Sequence, residues 1–304
     1  MNPLRVLFST SLILFNLPAL ANRAEEIRAK ITVDGANVVY QNAVHSSEFK
    51  KILSGIQSGD RVWLDVAAAL RSVSDTHGSE QLDTAFSDAL SKSAGTALVY
   101  LQKPFRARDV CKPRMVEPES GELNQFFTRI EHALNAAQDG TLQDKKSVCL
   151  YYLGVSKRMI DAIDVLARHN ENPEKIAEEI KTTGVMRVNS RLISEGVWDS
   201  VISRIAAGNP ETWIGLAMSF RSEPTLRPQI DLALATALMT NPFFVLTSAP
   251  NEAALSDICT VKNFKIATSV QRDIGETLDD VLAPMQTQTA LATKVRVCLS
   301  ALKW

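Results

Sequence analysis

Apolar residues recur every three or four positions over much of the chain, which is the spacing of amphipathic helices. Within Arg61–Val73 the apolar positions at this spacing are Val62, Val66, Ala69, Leu70 and Val73. Asp60 precedes them as an N-cap, and Ser79–Ser91 then places Leu82, Phe86 and Leu90 on one face. The pattern predicts two helices that form a hairpin.

The same pattern returns in the second half of the chain. Helices are predicted over Glu211–Arg221, which follows Pro210, and over Leu226–Met239, with a turn at 222–224 between them. A short third helix is predicted after each hairpin, at Gly95–Gln102 and Pro242–Thr247. The longer helices predicted beyond these are Glu122–Ala137, Leu142–His169 with an interruption at Gly154, and Phe264–Met285.

Three segments depart from the helical pattern. Lys103–Gly121, which contains three prolines, and Ser248–Asn263 are predicted to be loops, each with the first cysteine of its half. Ile31–Tyr40 is predicted to be extended around a turn at Asp34 and Gly35, as in a small β-hairpin.

The two halves of the chain share an ordered series of residues. The string AEEI at Ala24 returns at Ala177, and Gly59, Trp63 and Arg71 are matched about 150 positions later by Gly208, Trp213 and Arg221. Further pairs in the same order are Asp83 with Asp231, Cys111 with Cys259, and Cys149 with Cys298. Solenoid repeats are only about 20 to 50 residues long. The series therefore predicts a duplication of a domain-sized lobe.

These patterns predict an all-α protein of two tandem, internally duplicated helical lobes, each with one disulfide. The hairpins resemble HEAT-like helical repeats over Asp60–Leu101 and its matching segment, and this resemblance, which rests on spacing, implies fold only. The predicted domains are a signal peptide at 1–21, lobe 1 at 22–171 and lobe 2 at 172–304. The boundary between the lobes is predicted at Asn170–Pro173, with Pro173 opening the next helix.

The N-terminus has the features of a secretory signal peptide. Arg5 precedes the apolar run Val6–Phe15, and Pro18 and small residues then lead to a predicted cleavage site after Ala21. The run is too short for a membrane anchor, which needs about 20 apolar residues. We therefore expect a periplasmic or otherwise secreted protein with no membrane span after cleavage.

Composition and charge narrow the range of partners. The chain carries 33 Lys and Arg against 34 Asp and Glu, a net charge of −1, so it has neither a basic footprint for nucleic acid nor a basic block for an anionic membrane surface. Low aromatic content and abundant Ala and Leu favour helices over a β-sandwich. The expected partner is another envelope or secreted protein.

The four cysteines are predicted to form one disulfide in each lobe. Four cysteines in an exported protein allow three pairings. The duplication selects Cys111 with Cys149 and Cys259 with Cys298, at separations of 38 and 39 residues. Zinc is the weaker alternative, because cysteines at this spacing lack a CxxC or HxxxH partner motif.

No motif in the sequence points to catalysis. There is no GxSxG, HExxH, P-loop or GxGxxG string, and we predict no catalytic, cofactor-binding or metal-binding residues. The histidines lack partners at ligand spacing and are expected at the surface; they are His45, His77, His132 and His169.

Two pairs of duplicated residues have a structural and a functional interpretation. Trp63 and Trp213 are interpreted as core residues, with a stacking platform for a sugar or peptide as the alternative. Arg71 and Arg221 are interpreted as ion-pair partners of Asp83 and Asp231, with a ligand-binding arginine as the alternative. In both cases the structural interpretation is favoured, because residues kept in both copies mostly maintain the shared fold.

One cluster of charge is a candidate partner-binding site. The segment Lys103–Arg114, which we call the basic loop, carries five basic residues. They are Lys103, Arg106, Arg108, Lys112 and Arg114. A positive patch beside a disulfide-braced loop suits an acidic partner. The alternative interpretation is an ordinary solvated loop.

The sequence supports two hypotheses on function. The first is an exported, non-enzymatic protein-binding or scaffold protein of the cell envelope, and a specific version of it is an immunity or inhibitor protein. The alternative is a hydrolase of envelope polymers, with a site between the two lobes built from residues distant in sequence. The enzyme hypothesis predicts buried, pKa-shifted side chains between the lobes, and the binding hypothesis predicts an exposed apolar patch.

Overall fold

The structure, a computed structural model, describes residues 17–113, 120–288 and 290–302. In these residues the backbone forms eighteen α-helices and no β-strand, and two isolated bridges join Leu101 and Gln102 to Phe105. The predicted all-α fold class is confirmed. The helices group into two compact units, which we call unit 1, ending at Tyr152, and unit 2, beginning at Leu153.

Unit 1 contains eight helices and the first part of a ninth. They are α1 (Leu17–Asp34), α2 (Ala36–Val44), α3 (Ser47–Ile56), α4 (Arg61–Arg71), α5 (Thr76–Lys92), α6 (Ala94–Ala97), α7 (Ala107–Val110), α8 (Ser120–Ala136) and α9 (Gln143–Arg168), with short 3-10 helices at Leu98–Tyr100 and Gly140–Leu142. The division between the units falls inside α9. The predicted lobe boundary at 171 and 172, just after α9, stays a prediction.

Unit 2 repeats the same order of helices. They are α10 (Pro173–Thr183), α11 (Val185–Ser194), α12 (Trp198–Ala207), α13 (Thr212–Arg221), α14 (Arg227–Thr240), α15 (Pro242–Ser248), α16 (Glu252–Cys259), α17 (Thr268–Leu282) and α18 (Ala292–Ala301), with short 3-10 helices at Val261–Asn263 and Ala283–Thr287. Each helix of unit 1 thus has a counterpart in unit 2, in the same place in the order.

Glycines with left-handed backbone mark equivalent junctions in the two units. Gly35 and Gly184, both with a φ of 87°, separate the first helix from the second, and Gly59 and Gly208, with φ of 75° and 69°, precede the fourth. Residues with a Cβ rarely adopt this conformation. The duplicated glycines therefore preserve the turns that set the path of each copy.

The predicted β-hairpin over Ile31–Tyr40 is wrong, because both sides of the turn are helical. The amide of Gly35 donates to the carbonyl of Ile31 over 3.0 Å, and α2 begins at Ala36. The β-branched residues of this segment favour strands when taken locally. Here packing overrides the local preference, since the buried side chains of Ile27 and Tyr40 lie on the helices that flank the turn.

The predictions for the N-terminus and for the ends of the helices are confirmed only in part. The first sixteen residues of the predicted signal peptide lie outside the described residues, and α1 begins at Leu17 and continues past the predicted cleavage site at Ala21. The prediction of an interruption at Gly154 is wrong, since α9 is continuous. Two predicted helix starts are confirmed: Asp60 accepts from the amide of Val62 over 2.9 Å, and Pro173 occupies the first turn of α10.

Both disulfides connect the predicted cysteines. The Cα atoms lie 5.3 Å apart in Cys111–Cys149 and 5.2 Å apart in Cys259–Cys298, and all four residues are buried. The first cysteine of each pair was predicted in a loop. Cys111 lies in a bend directly after α7, whereas Cys259 is the last residue of α16. The helices α7 and α16 have only four and eight residues. The prolines and charged residues around them interrupt the apolar spacing from which helices were predicted.

A lysine at equivalent positions of the two units holds the same helix that the disulfide holds. Lys145 donates to the carbonyl of Val99, which lies in the 3-10 helix that follows α6. Burial lowers the pKa of this lysine. In unit 2, Lys294 donates to the carbonyls of Leu246 and Ala249 over 2.7 and 3.1 Å. Because lysine ammonium groups satisfy carbonyls that end a helix, each lysine fixes the helix that carries the second cysteine.

The tryptophans predicted as core residues are buried. Trp63 is 1% exposed and Trp213 is 4% exposed. The ring of Trp63 lies against Gly55 on α3, where a side chain would overlap the indole. The absence of a Cβ at residue 55 therefore lets α3 and α4 approach each other closely.

Replacing Gly55 by alanine is expected to destabilise unit 1 by about 1 to 3 kcal/mol, the usual cost of overpacking. The new Cβ would lie 2.6 Å from Cζ2 of Trp63, a ring that is too buried to move aside. Urea denaturation measures the loss. The control is Gly95→Ala in α6, whose Cβ would meet nothing within 4 Å and which is expected to be neutral or slightly stabilising. Equal stability of the two variants would contradict the close approach of α3 and α4.

Candidate functional site

The backbone of the basic loop is fixed at both ends. Phe105 is fully buried and stacks on Phe86, with ring centroids 4.2 Å apart and ring planes at 24°. Six residues later, Cys111 is bonded to Cys149. The described part of this predicted loop is therefore a short folded segment that contains α7.

The side chains of the basic loop reach the surface to different degrees. Lys103 is exposed, whereas Arg106, Arg108 and Lys112 are partly exposed. Arg114 lies outside the described residues. Asp109 faces two of the cations, since its Oδ1 lies 3.6 Å from Arg108 Nε and 4.0 Å from Lys112 Nζ. The patch is thus less positive than the count of basic residues suggests, and its role in binding stays a prediction.

A groove of about 720 Å³ lies in unit 1 between the end of α2, α3 and α5. We call it the α3–α5 groove. The lining residues used below are His45, Phe49, Lys50, Leu53, Gln57 and Gln81. Phe49 and Ala85 supply buried apolar surface, while Lys50 is exposed at the rim. An apolar floor with a few polar groups around it is the usual composition of a ligand site.

The polar groups on the walls of this groove have defined partners. Gln57 Nε2 donates to Asp88 Oδ2 over 3.0 Å, and burial of Asp88 raises the pKa of its carboxyl group. Gln81 Nε2 lies 2.9 Å from a ring nitrogen of His77. Both amides are thus held near the groove, and their oxygens can accept hydrogen bonds there.

Unit 2 has a smaller depression of about 510 Å³ next to α17 and α18. Its lining includes the acidic residues Glu276 and Asp279 and the cation Arg296. Charges of both signs line it, so its electrostatic field favours neither an acidic nor a basic ligand.

The duplicated arginines form the predicted ion pairs. Arg71 Nε lies 2.8 Å from Asp83 Oδ1, and Arg221 Nε lies 2.6 Å from Asp231 Oδ1. Arg221 also donates to Asp257 over 2.8 Å. Burial raises the pKa of Asp231, against the opposing effect of Arg221. The structural interpretation of these arginines is confirmed, because each joins the two helices of its hairpin.

An ion-pair cluster at the start of unit 2 was not predicted. Arg191 donates to Glu171, Glu179 and Glu195 over 2.6 to 2.9 Å, and Lys175 donates to Glu171 over 3.0 Å. Burial raises the pKa of Glu171, but hydrogen bonds from Arg191 and Lys175 outweigh it and hold that pKa below its ordinary value. The cluster ties α10 and α11 to the end of α9.

The remaining candidates for chemistry are the histidines. All four histidines are exposed, as the sequence predicts. Among the described residues, no group of His, Cys, Asp and Glu is arranged to hold a metal ion, and no helix is both long enough and apolar enough to cross a membrane.

Comparison with protein-family models, curated proteins and solved structures finds no match to the chain.

Proposed function

We propose that this chain is an exported, non-enzymatic protein-binding protein of the cell envelope. The observation that carries the proposal is the anchoring of the basic loop. Its backbone is fixed by the buried ring of Phe105 and by Cys111–Cys149, while Lys103 and parts of its neighbouring cations face solvent. A surface that is rigid before binding loses less conformational entropy when the partner docks.

Export is supported by the two disulfides, since such bonds persist in oxidising compartments such as the periplasm. The signal-like N-terminus supports the same location. Each unit closes its own covalent loop, which is a common way of stabilising secreted domains.

The partner is an acidic surface of another envelope or secreted protein. Ion pairs within the patch, such as that of Asp109 with Lys112 at 4.0 Å, are long and partly exposed to water, so they are weak. A partner carboxylate can therefore compete with Asp109 for these cations. An immunity or inhibitor protein is the specific version of this function in which the partner is a toxin or a hydrolase.

Reversing charge in the basic loop is expected to reduce partner capture at least tenfold. The tagged chain is used to capture proteins from an envelope extract of its source organism, with Lys103→Glu/Arg106→Glu beside the wild type. The matched control is Lys262→Glu/Lys265→Glu, which makes the same change of charge at exposed positions of the corresponding segment of unit 2. Circular dichroism verifies that each variant is folded.

Salt gives a second readout of the same experiment. Electrostatic association through the basic loop should slow as salt rises from low to physiological concentration, because exposed charges are screened over roughly 8 to 10 Å. Equal capture by the wild type and both variants would overturn the role of the basic loop. Absence of any stoichiometric partner would overturn the binding function itself.

A further inference from the structure

One position at which the two units differ carries an aromatic residue in both of them. In the matched order of helices, Phe49 on α3 corresponds to Trp198 on α12, and Gln81 on α5 corresponds to Gln229 on α14. Trp198 is 7% exposed, and its Nε1 donates to Gln229 Oε1 over 3.1 Å. The indole therefore spans the space between α12 and α14.

In unit 1 the smaller ring of Phe49 stands at the corresponding position. The ring of Phe49 packs edge-on against Tyr40, at a centroid distance of 5.9 Å, and it has no N–H group to offer Gln81. Gln81 instead meets His77 at the surface. Phe49 and Gln81, the counterparts of Trp198 and Gln229, both line the α3–α5 groove of about 720 Å³.

Among the described residues that line this groove, Lys50 carries the formal charge. Lys50 stands at the position that Asp199 occupies in unit 2, and no lining residue in the described part of the chain carries a carboxylate. The nearby carboxylate of Glu48 is held by Arg23 at 2.6 Å. The N-terminal end of α3 adds partial positive charge on the same side.

We propose that the α3–α5 groove binds a peptide segment of the partner protein that carries a tryptophan flanked by acidic residues. The indole packs against Phe49 and donates to the amide oxygen of Gln81, while the carboxylates face Lys50. Tryptophan side chains in pockets are frequent anchors of protein interfaces, and the volume lies within the range of ligand sites. The inference rests on the proposed function and names the chemistry of the partner.

The probe for this site is the peptide Ac-Asp-Asp-Trp-Asp-Asp-NH2, titrated into 15N-labelled chain of residues 22–304. We expect saturable NMR shifts for the backbone amides of α3 and α5 and for the side-chain amides of Gln57 and Gln81. A peptide with alanine in place of tryptophan, and one with lysines in place of the aspartates, should each bind at least tenfold more weakly. Equal binding of the alanine peptide, or shifts that map outside the groove, would overturn the assignment.

Two substitutions test the site from the side of the protein. Phe49→Trp supplies the indole that unit 2 already has, so binding should fall at least tenfold. Lys50→Asp, at an exposed position that leaves the core untouched, should weaken binding at least fivefold even if Phe49→Trp does not fold. Trp198→Phe is the control and should leave the shifts in unit 1 unchanged. Wild-type binding by Lys50→Asp would contradict the predicted contact with the acidic residues.

Failure of this inference can be told apart from failure of the proposed function. If the peptide does not bind but charge reversal in the basic loop still abolishes capture of a partner, the groove assignment is wrong and the binding function stands. If no partner is captured by the wild-type chain, the proposed function is wrong as well.

Discussion

Replacing Arg221 by alanine is expected to lower the free energy of unfolding of unit 2 by about 3 to 5 kcal/mol, the usual cost of removing one member of a buried ion pair. The side chains of Arg221 and Asp231 are 10% and 6% exposed, so the variant leaves a buried carboxylate without its cation. The substitution also removes the bonds to Asp257 and to the carbonyl of Ala254. Urea denaturation at pH 7 measures the loss.

Two further variants and a change of pH test how much of this loss comes from the buried ion pair. Asp257→Asn removes only a partner whose side chain is 53% exposed and should cost less than about 1 kcal/mol. The double variant Arg221→Met/Asp231→Leu removes both charges and should recover much of the loss. Because burial already raises the pKa of Asp231, its carboxyl group takes up a proton more readily in the Arg221→Ala variant, and the penalty should shrink between pH 7 and pH 4. A penalty below 1 kcal/mol for Arg221→Ala would show that water reaches the pair.

Replacing both Cys259 and Cys298 by alanine is expected to destabilise unit 2 by about 4 kcal/mol. The bond closes a loop with a sequence separation of 39 residues, and in the chain-entropy model such a loop restricts the unfolded chain by about this amount. Urea denaturation followed by hydrogen-exchange mass spectrometry assigns the loss to residues of one unit.

The bond of unit 1 is the matched control for this experiment. Replacement of Cys111 and Cys149 opens a loop of almost the same length, with a separation of 38 residues, and should produce a similar loss confined to unit 1. Digestion without reductant should yield two cross-linked peptides, one from each unit. A cross-linked peptide joining Cys111 to either cysteine of unit 2, or free thiols in the protein purified without reductant, would contradict the pairing.

Much of the fold follows from the sequence because helical spacing and the duplication reinforce each other. The positions of Leu82, Phe86 and Leu90 predict α5, and the pairing of Cys111 with Cys149 follows once the two copies are aligned. Local composition gave a wrong prediction at Ile31–Tyr40. The β-branched residues there favour a β-hairpin, but they lie on two helices joined at Gly35. In that segment burial between helices decides the backbone, and burial depends on neighbours that are distant in sequence.

The candidate site was harder to predict for a related reason. Phe49 packs against Tyr40 beside the α3–α5 groove, whereas Trp198 donates to Gln229, and these contacts cannot be read from helical spacing. The sequence did hold a signal, since Phe49 and Trp198 occupy matched positions with different side chains. The unmatched residues of aligned copies therefore point to the groove better than the shared ones do.

The closing helices α9 and α18 are each held by two chemically unlike attachments, a cystine and a lysine that caps a neighbouring helix. A reductant attacks the first without touching the second. Concentrated salt screens the charge of the second and does not reduce the first. A change in only one of these conditions therefore leaves each closing helix with one of its two attachments, so its position depends on redundancy rather than on the strength of either bond.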